Sequence, residues 1–435
     1  MATRYGFPAR FWAWLARHRP PGPFRPRTWR SPVRGPWLTS VLAVVLLIAL
    51  PIVTITGLLS YAAYAPHLGQ AMPADVGLLR LPYFDWPTDP PWLYRLTQGL
   101  HVVLGLVLVP VVLAKLWSVA PKLFTWPPAR SPAQVLERLS LLLLVGSVLF
   151  EIATGVLNIQ YDYLFGFSFY TAHYYGAWVF IGAFICHVAL KLPLMIRALR
   201  SRSLRTELKT SRSATTVEPR TLSDLPPTEP DIPTISRRGM LALTGGGSLL
   251  VLALTAGQTI DGPLRNTALL LPRGRDLGDG PNDFQVNRTA TAAGITPAAT
   301  GTGWRLTLTG SGPSLELDLA QLAALPQHSA VLPIACVEGW STTQRWTGVR
   351  LADLARLAGT PEPTGAFVRS LEQAGPFSQA ALQGNQVRHP DALLALRVND
   401  AELSMDHGFP ARVIVPALPG VHNTKWVRSI EFRST

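Results

Sequence analysis

The chain has 435 residues, of which 48% are hydrophobic and only 15% charged, and it carries a formal net charge of +13. That composition leans away from an ordinary soluble enzyme. Its two cysteines, Cys186 and Cys336, exclude a disulfide framework, and because no nucleic-acid module accompanies the positive charge, nucleic acid is not an expected partner.

In chain order, residues 1–36 hold eight arginines and no acid. Four long apolar runs follow within 37–200: Leu38–Tyr61, Leu93–Leu113, Leu139–Ile159 and Tyr174–Ile196. Each meets the roughly 20-residue length that a bilayer helix needs. A fifth, weaker run at Met240–Ile260 gives an anchor helix over 239–261. Arg197–Arg238 holds nine Lys or Arg, whereas the loops at Ala63–Pro91 and Gln160–Ala172 hold only Arg80. By the positive-inside rule the N-terminus and the 201–238 segment are cytoplasmic, and residues 262–435 emerge on the outer face of the cytoplasmic membrane. The charge is then largely a topology signal that also attracts anionic lipid. Ser201–Ser236, rich in Ser, Thr, Pro and charge, is expected to be a flexible linker.

Two of the apolar helices carry histidine. His173 and His187 are 14 residues apart, nearly four turns, so they share one face about 21 Å apart along the axis. On the second helix His101 is followed 14 residues later by Lys115. Both helices run outside to inside, which levels His101 with His173 and Lys115 with His187. Ionisable side chains at membrane depth are costly and commonly functional. Lys115 is expected to snorkel to the surface, and Cys186 to be a small packed residue. Thr56-Gly57 and Thr154-Gly155 are small-residue contacts that permit close helix packing.

The histidine spacing resembles that of the membrane cytochromes b. The resemblance implies haem b held by His101 and His173, with His187 open as a ligand of a second, inner haem. Ser236-Arg237-Arg238-Gly239-Met240-Leu241 resembles a twin-arginine export signal, which implies the twin-arginine export machinery as a partner; the same arginines could instead anchor the fifth helix on the positive side.

Beyond residue 262, strands are expected at Trp304–Gly310, Val331–Ala335, Arg412–Pro416 and Val427–Phe432, and helices at Leu319–Ala324 and Leu351–Ala358. The external domain therefore reads as α+β. Cys336 lies in Pro333-Ile334-Ala335-Cys336-Val337-Glu338-Gly339-Trp340, a short apolar strand entering a Gly-containing turn, which can present a soft sulfur ligand. Downstream stand Asp406-His407-Gly408-Phe409-Pro410-Ala411-Arg412 and Gly420-Val421-His422-Asn423-Thr424-Lys425-Trp426.

From about Asn282 to Phe432 these motifs resemble, in order and spacing, the sulfite-oxidase family of molybdopterin enzymes. The resemblance implies the molybdenum cofactor, with Cys336 as the thiolate ligand of molybdenum. It places His407, Arg412, Asn423 and Lys425 on the pterin and its phosphate, and Asn282, Asn287 and Arg288 in a segment closing over the cofactor. Glu338 is either a proton relay near the metal or a solvated turn carboxylate. Sulfite is disfavoured as substrate, because Pro281 stands where the family has an arginine and Phe377 where it has an active-site tyrosine. The family's dimerisation domain is also not expected after the last strand. The external part is more similar to the bacterial periplasmic sulfoxide reductase catalytic subunit, which works with a haem-containing membrane partner.

The expected protein has several domains: an all-α transmembrane cytochrome b bundle of four helices plus an anchor helix, followed by an α+β molybdopterin domain. It would pass electrons between quinone or quinol, haem b and an external molybdenum site, and reduce a small-molecule or protein sulfoxide. The alternatives are an oxidase donating electrons to quinone, and a non-catalytic membrane cytochrome with a binding domain.

Overall fold

The computed structural model describes residues 14, 17–128, 131–158, 167–271 and 277–434. The chain divides into two compact units, one formed by the chain up to Thr54, Gly105–Asn158 and the segment up to Leu252, the other by Ile55–Leu104 and Ala253 onward.

The apolar runs are helical because segments with few polar side chains satisfy their backbone by internal hydrogen bonds wherever water is excluded. They form α1 (Pro36–Tyr64), α2 (Leu93–Val107), α3 (Val109–Leu123), α4 (Pro132–Leu157) and α5 (Phe169–Ser201). Among the described residues four helices are long and apolar enough to cross a membrane, or five if the bent pair α2 and α3 is one span. The expected single second helix is thus broken at Leu108, with a bend of 40°. Pro110 has no N–H for the preceding turn, and its ring crowds the carbonyl there. Helix starts follow local chemistry: Ser131 accepts from Gln134 N ahead of Pro132, and Ser168 accepts from Thr171 N.

Within the first unit the expected flexible linker is ordered. It contains α6 (Leu204–Lys209) and leads into α7 (Arg237–Ala253). Glu218, 2% exposed, accepts from Trp37 N at 2.9 Å, and the Arg237 guanidinium reaches both Glu218 and Glu207. Arg237 also donates to the carbonyls of Pro32 and Thr216. Burial pushes the Glu218 carboxyl up against these partners, which pull it down. Of the two arginines singled out for export, Arg237 is therefore a buried structural cation, while Arg238 is exposed. Two smaller expectations also change. Lys115 donates to the Thr39 carbonyl at 2.7 Å rather than snorkelling, and Cys186 is exposed.

In the second unit, α8 (Ala256–Ile260) precedes the mixed domain; the expected fifth helix is interrupted at Leu254 and Thr255. The domain holds β1 (Leu306–Thr309), β2 (Leu315–Leu317), α9 (Leu319–Ala324), β3 (His328–Ala335), β4 (Ser341–Arg350), α10 (Leu351–Leu357), β5 (Gly365–Ser370), β6 (Gln379–Gln383), α11 (Gly384–Arg388), β7 (Leu393–Val398), β8 (Ala401–Glu402), β9 (Arg412–Ile414) and β10 (Val427–Arg433). One sheet runs β2-β1-β10-β5-β6, with β1 and β10 parallel. The other runs β3-β4-β7-β8, with β9 also on β7, and is antiparallel throughout. The expected strands and helices are all present to within a few residues, and β2 and β4 to β8 are additional. Buried residues from both sheets, among them Leu306, Leu308, Val368, Leu394, Val413 and Ile430, share one core.

The segment between α1 and α2 also belongs to this unit. Gln70 donates to the Ala381 carbonyl and accepts from Ala381 N, both at 2.9 Å, so its amide occupies the edge of β6 as a strand would. Trp86, 2% exposed, donates from Nε1 to the Ala417 carbonyl at 2.8 Å. Full burial of a side chain of this size contributes roughly 2–3 kcal/mol.

Candidate active site

The site grows from the β3–β4 hairpin. All eight residues of β3 pair with β4, from His328 opposite Gly348 to Ala335 opposite Ser341, leaving Cys336–Trp340 as the connecting turn. The turn closes through Cys336 N to Trp340 O at 2.9 Å and Gly339 N to Cys336 O at 3.0 Å. Gly339 has φ of +90°, a conformation that a Cβ disfavours. Cys336 is 7% exposed at the base of a pocket. A bridge between Ala335 and Pro419 brings Gly420 beside it, and the pairing of β9 with β7 brings up Arg412.

The pocket lining joins Asn287, Cys336, His407, Arg412 and Lys425 to Phe284, Gln285, Val286, Ile334, Trp340, Thr342 and Gly420. Among the described residues no carboxylate lines it, although it contains two strongly buried cations. Arg412 is 4% exposed, donates to the carbonyls of Asn423 and His407, and lies 5.6 Å from the Trp346 ring centroid. Lys425 is 1% exposed and donates to the carbonyls of Arg288 and Asp406. Burial lowers the Arg412 guanidinium to about 9 and holds the Lys425 ammonium well below its ordinary value. The His407 imidazole is pushed down to about 3, first by burial and then by Arg412. At neutral pH its ring is uncharged, with Nε2 donating to the Asn282 carbonyl at 2.8 Å and the ring stacked on Phe284 at 3.6 Å.

Buried charges without carboxylate partners are costly unless something else neutralises them. A phosphate-bearing cofactor would supply that counter-charge, so this donor set fits a pterin phosphate, and the Cys336 thiol beside it fits a soft metal.

Other expected residues lie outside the lining. Asn282 is an anchor: its amide donates to Glu402 O and accepts from Ser404 N, tying the 284–287 segment to the end of β8. Arg288 pairs with buried Glu372 at 2.6 Å and donates to Ala292 O, so it shapes the loop instead of facing the pocket. Asn423, fully buried, holds Val415 N through Oδ1, while its Nδ2 has no hydrogen-bond partner among the described residues. Glu338 is neither a solvated turn residue nor part of the lining; 6% exposed, it accepts from Trp340 Nε1 at 2.7 Å. Pro281 and Phe377 likewise stand away from the lining, and Phe377 is buried in a cluster with Ala290, Ile295 and Trp426. Sequence reasoning missed Gln285, Trp340 and Thr342. Their sole signal was proximity to Asn287 and Cys336, since polar neutral residues announce nothing by charge or spacing.

Residues 293–435 match the family described as oxidoreductase molybdopterin binding domain. These residues form a molybdopterin-binding oxidoreductase domain of the sulfite oxidase family. The chain is 32% identical over 152 residues to the mitochondrial sulfite oxidase of Drosophila melanogaster, covering 29% of this chain and 26% of that protein. It is 33% identical over 134 residues to the uncharacterized oxidoreductase YuiH of Bacillus subtilis (strain 168), covering 30% of this chain and 66% of that one. It is 30% identical over 148 residues to sulfite oxidase of Arabidopsis thaliana, covering 26% and 38%. The chain thus spans between 26% and 66% of these relatives' lengths. The sulfane dehydrogenase SoxCD of Paracoccus pantotrophus aligns over 31% of this chain and 39% of its own, at 22% identity and a TM-score of 0.29. Cys336 lies within the residues that match the oxidoreductase molybdopterin binding domain.

The helical histidines are placed separately. In the first unit His173 Nδ1 lies 3.0 Å from Thr154 Oγ1 and 3.2 Å from Glu151 Oε2 on α4, and its ring packs by Gly155. In the second unit the His101 ring sits on Gly57 of α1, where a Cβ would lie 2.7 Å from His101 Cε1. Each histidine therefore lies on the glycine of a Thr-Gly pair. His187 is half-buried on α5. Among the described residues no three His, Cys, Asp or Glu side chains form a metal cluster. A haem iron needs only two axial ligands from protein. A carboxylate on Nδ1 fixes the tautomer whose lone pair is on Nε2, as is usual for ligating histidines.

Proposed function

We propose that this protein is a membrane-anchored molybdenum oxidoreductase in which haem b, held by His101 and His173, links the quinone pool to the Cys336 site and drives reduction of a sulfoxide-like substrate. The observation that carries the reading is the pocket in which Arg412, Lys425 and neutral His407 line the same space as Cys336, with no carboxylate in the lining among the described residues. When bound, the molybdenum cofactor supplies a metal that changes oxidation state while taking or giving up an oxygen atom.

The chain's residues do the rest. Cys336 supplies the thiolate, and the buried cations hold the pterin phosphate by charge-assisted bonds. With Arg412 and Lys425 committed to the cofactor, no further cation among the described residues lines the pocket for a dianion such as sulfite. The remaining walls, Phe284, Ile334 and Trp340, suit a neutral oxidised substrate. Positive charge on residues 1–36 and 201–238 supports placement of this domain outside the cytoplasmic membrane, with export by the twin-arginine route.

Quantitation of molybdenum and haem in the purified full-length protein tests the cofactors. A quinol should then reduce the haem and a sulfoxide should reoxidise it. Reduction of the haem by a sulfide with transfer to quinone would reverse the direction, and absence of molybdenum would end the proposal.

A further inference from the structure

Three consecutive carbonyls of the cysteine turn are gripped by side chains from helices outside the molybdopterin domain. Val337 O accepts from Gln98 Nε2 of α2 at 2.7 Å, Glu338 O from Gln258 Nε2 of α8 at 3.4 Å, and Gly339 O from Thr259 Oγ1 of α8 at 2.6 Å. A carbonyl can only accept, so each side chain must present its donor here. The fit is tight on both sides. A Cβ on Gly339 would stand 2.8 Å from Val102 Cγ1 of α2, and one on Gly99 would stand 2.2 Å from Thr259 Cγ2. Gln98 is 3% exposed. None of these groups lines the pocket, so neither cofactor holding nor substrate contact explains the clamp.

The helix that makes it is the one that bears His101, three residues beyond Gln98 and thus one turn along the same side. We propose that α2 is the electron conduit into the cysteine site: its turn Gln98–Val102 holds the Cys336 loop by direct hydrogen bond and contact, and Gln98 is the positioning residue that couples the two. The inference rests on the reading of His101 as a haem ligand. A haem held by His101 would supply electrons singly, and a molybdenum cofactor held by Cys336 would gather the two that, with two protons, turn a sulfoxide into a sulfide and water.

The test uses full-length protein with molybdenum and haem quantified. Haem reduced by quinol is mixed with methionine sulfoxide in a stopped-flow instrument, and reoxidation is followed optically. In parallel, reduced benzyl viologen supplies electrons to the molybdenum site without the haem. Gln98→Leu should slow haem reoxidation by about tenfold or more, as loss of a positioning contact does, while viologen-driven turnover and both cofactor contents stay at wild-type values. Val102→Ala, which removes the side chain packed against Gly339 without altering the cysteine turn itself, should give the same split. Equal loss in both assays would reduce Gln98 to a support of the molybdenum site and overturn the route, as would unchanged reoxidation. A wild type without haem would instead remove the donor and fail the underlying reading.

Discussion

The Cys336 pocket and the histidine-bearing helices handle buried charge in opposite ways. In the pocket, Arg412 and Lys425 are buried with backbone carbonyls as hydrogen-bond partners and, among the described residues, no carboxylate in the lining. In the helical regions the polar groups meet partners within the chain: Glu151 and Thr154 reach His173, and Glu207 and Glu218 reach Arg237. Asp406 and Glu372 act on Lys425 from outside the lining, so the pocket face itself is left for the anion that the proposed cofactor would bring. Where the fold supplies the partner itself, the side chain is being held in place.

That contrast can be broken most decisively at Cys336. A serine hydroxyl is a far poorer ligand than a thiolate, so Cys336→Ser should abolish substrate reduction while haem absorbance is retained; turnover at the wild-type rate would refute the ligand assignment. On the helical side, His101→Ala and His173→Ala should each eliminate the haem spectrum, because an axial ligand is lost. His187→Ala is the control. It should leave that haem in place and lower the haem-to-protein ratio only if an inner site exists.

Lys425→Met sharpens the comparison. If the ammonium is there to meet a phosphate, cofactor retention should fall on the order of 10–100-fold, as when a supporting partner of a metal site is removed. The urea midpoint of the cofactor-free protein should meanwhile move little, since relief of a desolvated charge offsets the lost hydrogen bonds. A large destabilisation with normal molybdenum content would make Lys425 a purely structural cation.

A smaller effect is expected from pH. His407 and His422 both have folded-state values lowered to about 3, chiefly by burial, from 6.5. The unfolded chain therefore binds more protons between those values, and stability must fall as pH drops from about 6.5 towards 3. Each imidazole contributes at most about 1.4 kcal/mol per pH unit in that window. Urea melts of cofactor-free protein at pH 7 and pH 5 measure the slope, and His422→Leu should flatten it.

Much of this protein was legible in the sequence where one residue type or one period suffices. Long apolar runs had to become helices, because lipid or core offers no other partner to their backbone. The cysteine strand and the two downstream basic motifs pointed to the pocket residues Cys336, His407, Arg412 and Lys425. Arg288 and Glu338 lie outside the lining, which the sequence did not show because a charge near a motif looks the same whether it faces a cofactor or an internal partner. Glu372, 84 residues from Arg288, decides the first case, and the Trp340 indole the second.

By itself, then, the sequence determined the apolar spans, the mixed character of the C-terminal domain and the polar motifs that line its pocket, since these depend on local composition and short-range periodicity. Only the tertiary structure decided that the 201–236 segment closes over Arg237, that Gln70 and Trp86 finish the edge of the mixed domain, and that Gln98 grips the cysteine turn. Those outcomes depend on hydrogen bonds between residues from about 20 to more than 300 positions apart, and a neutral amide or an indole gives no advance sign of which distant carbonyl it will meet.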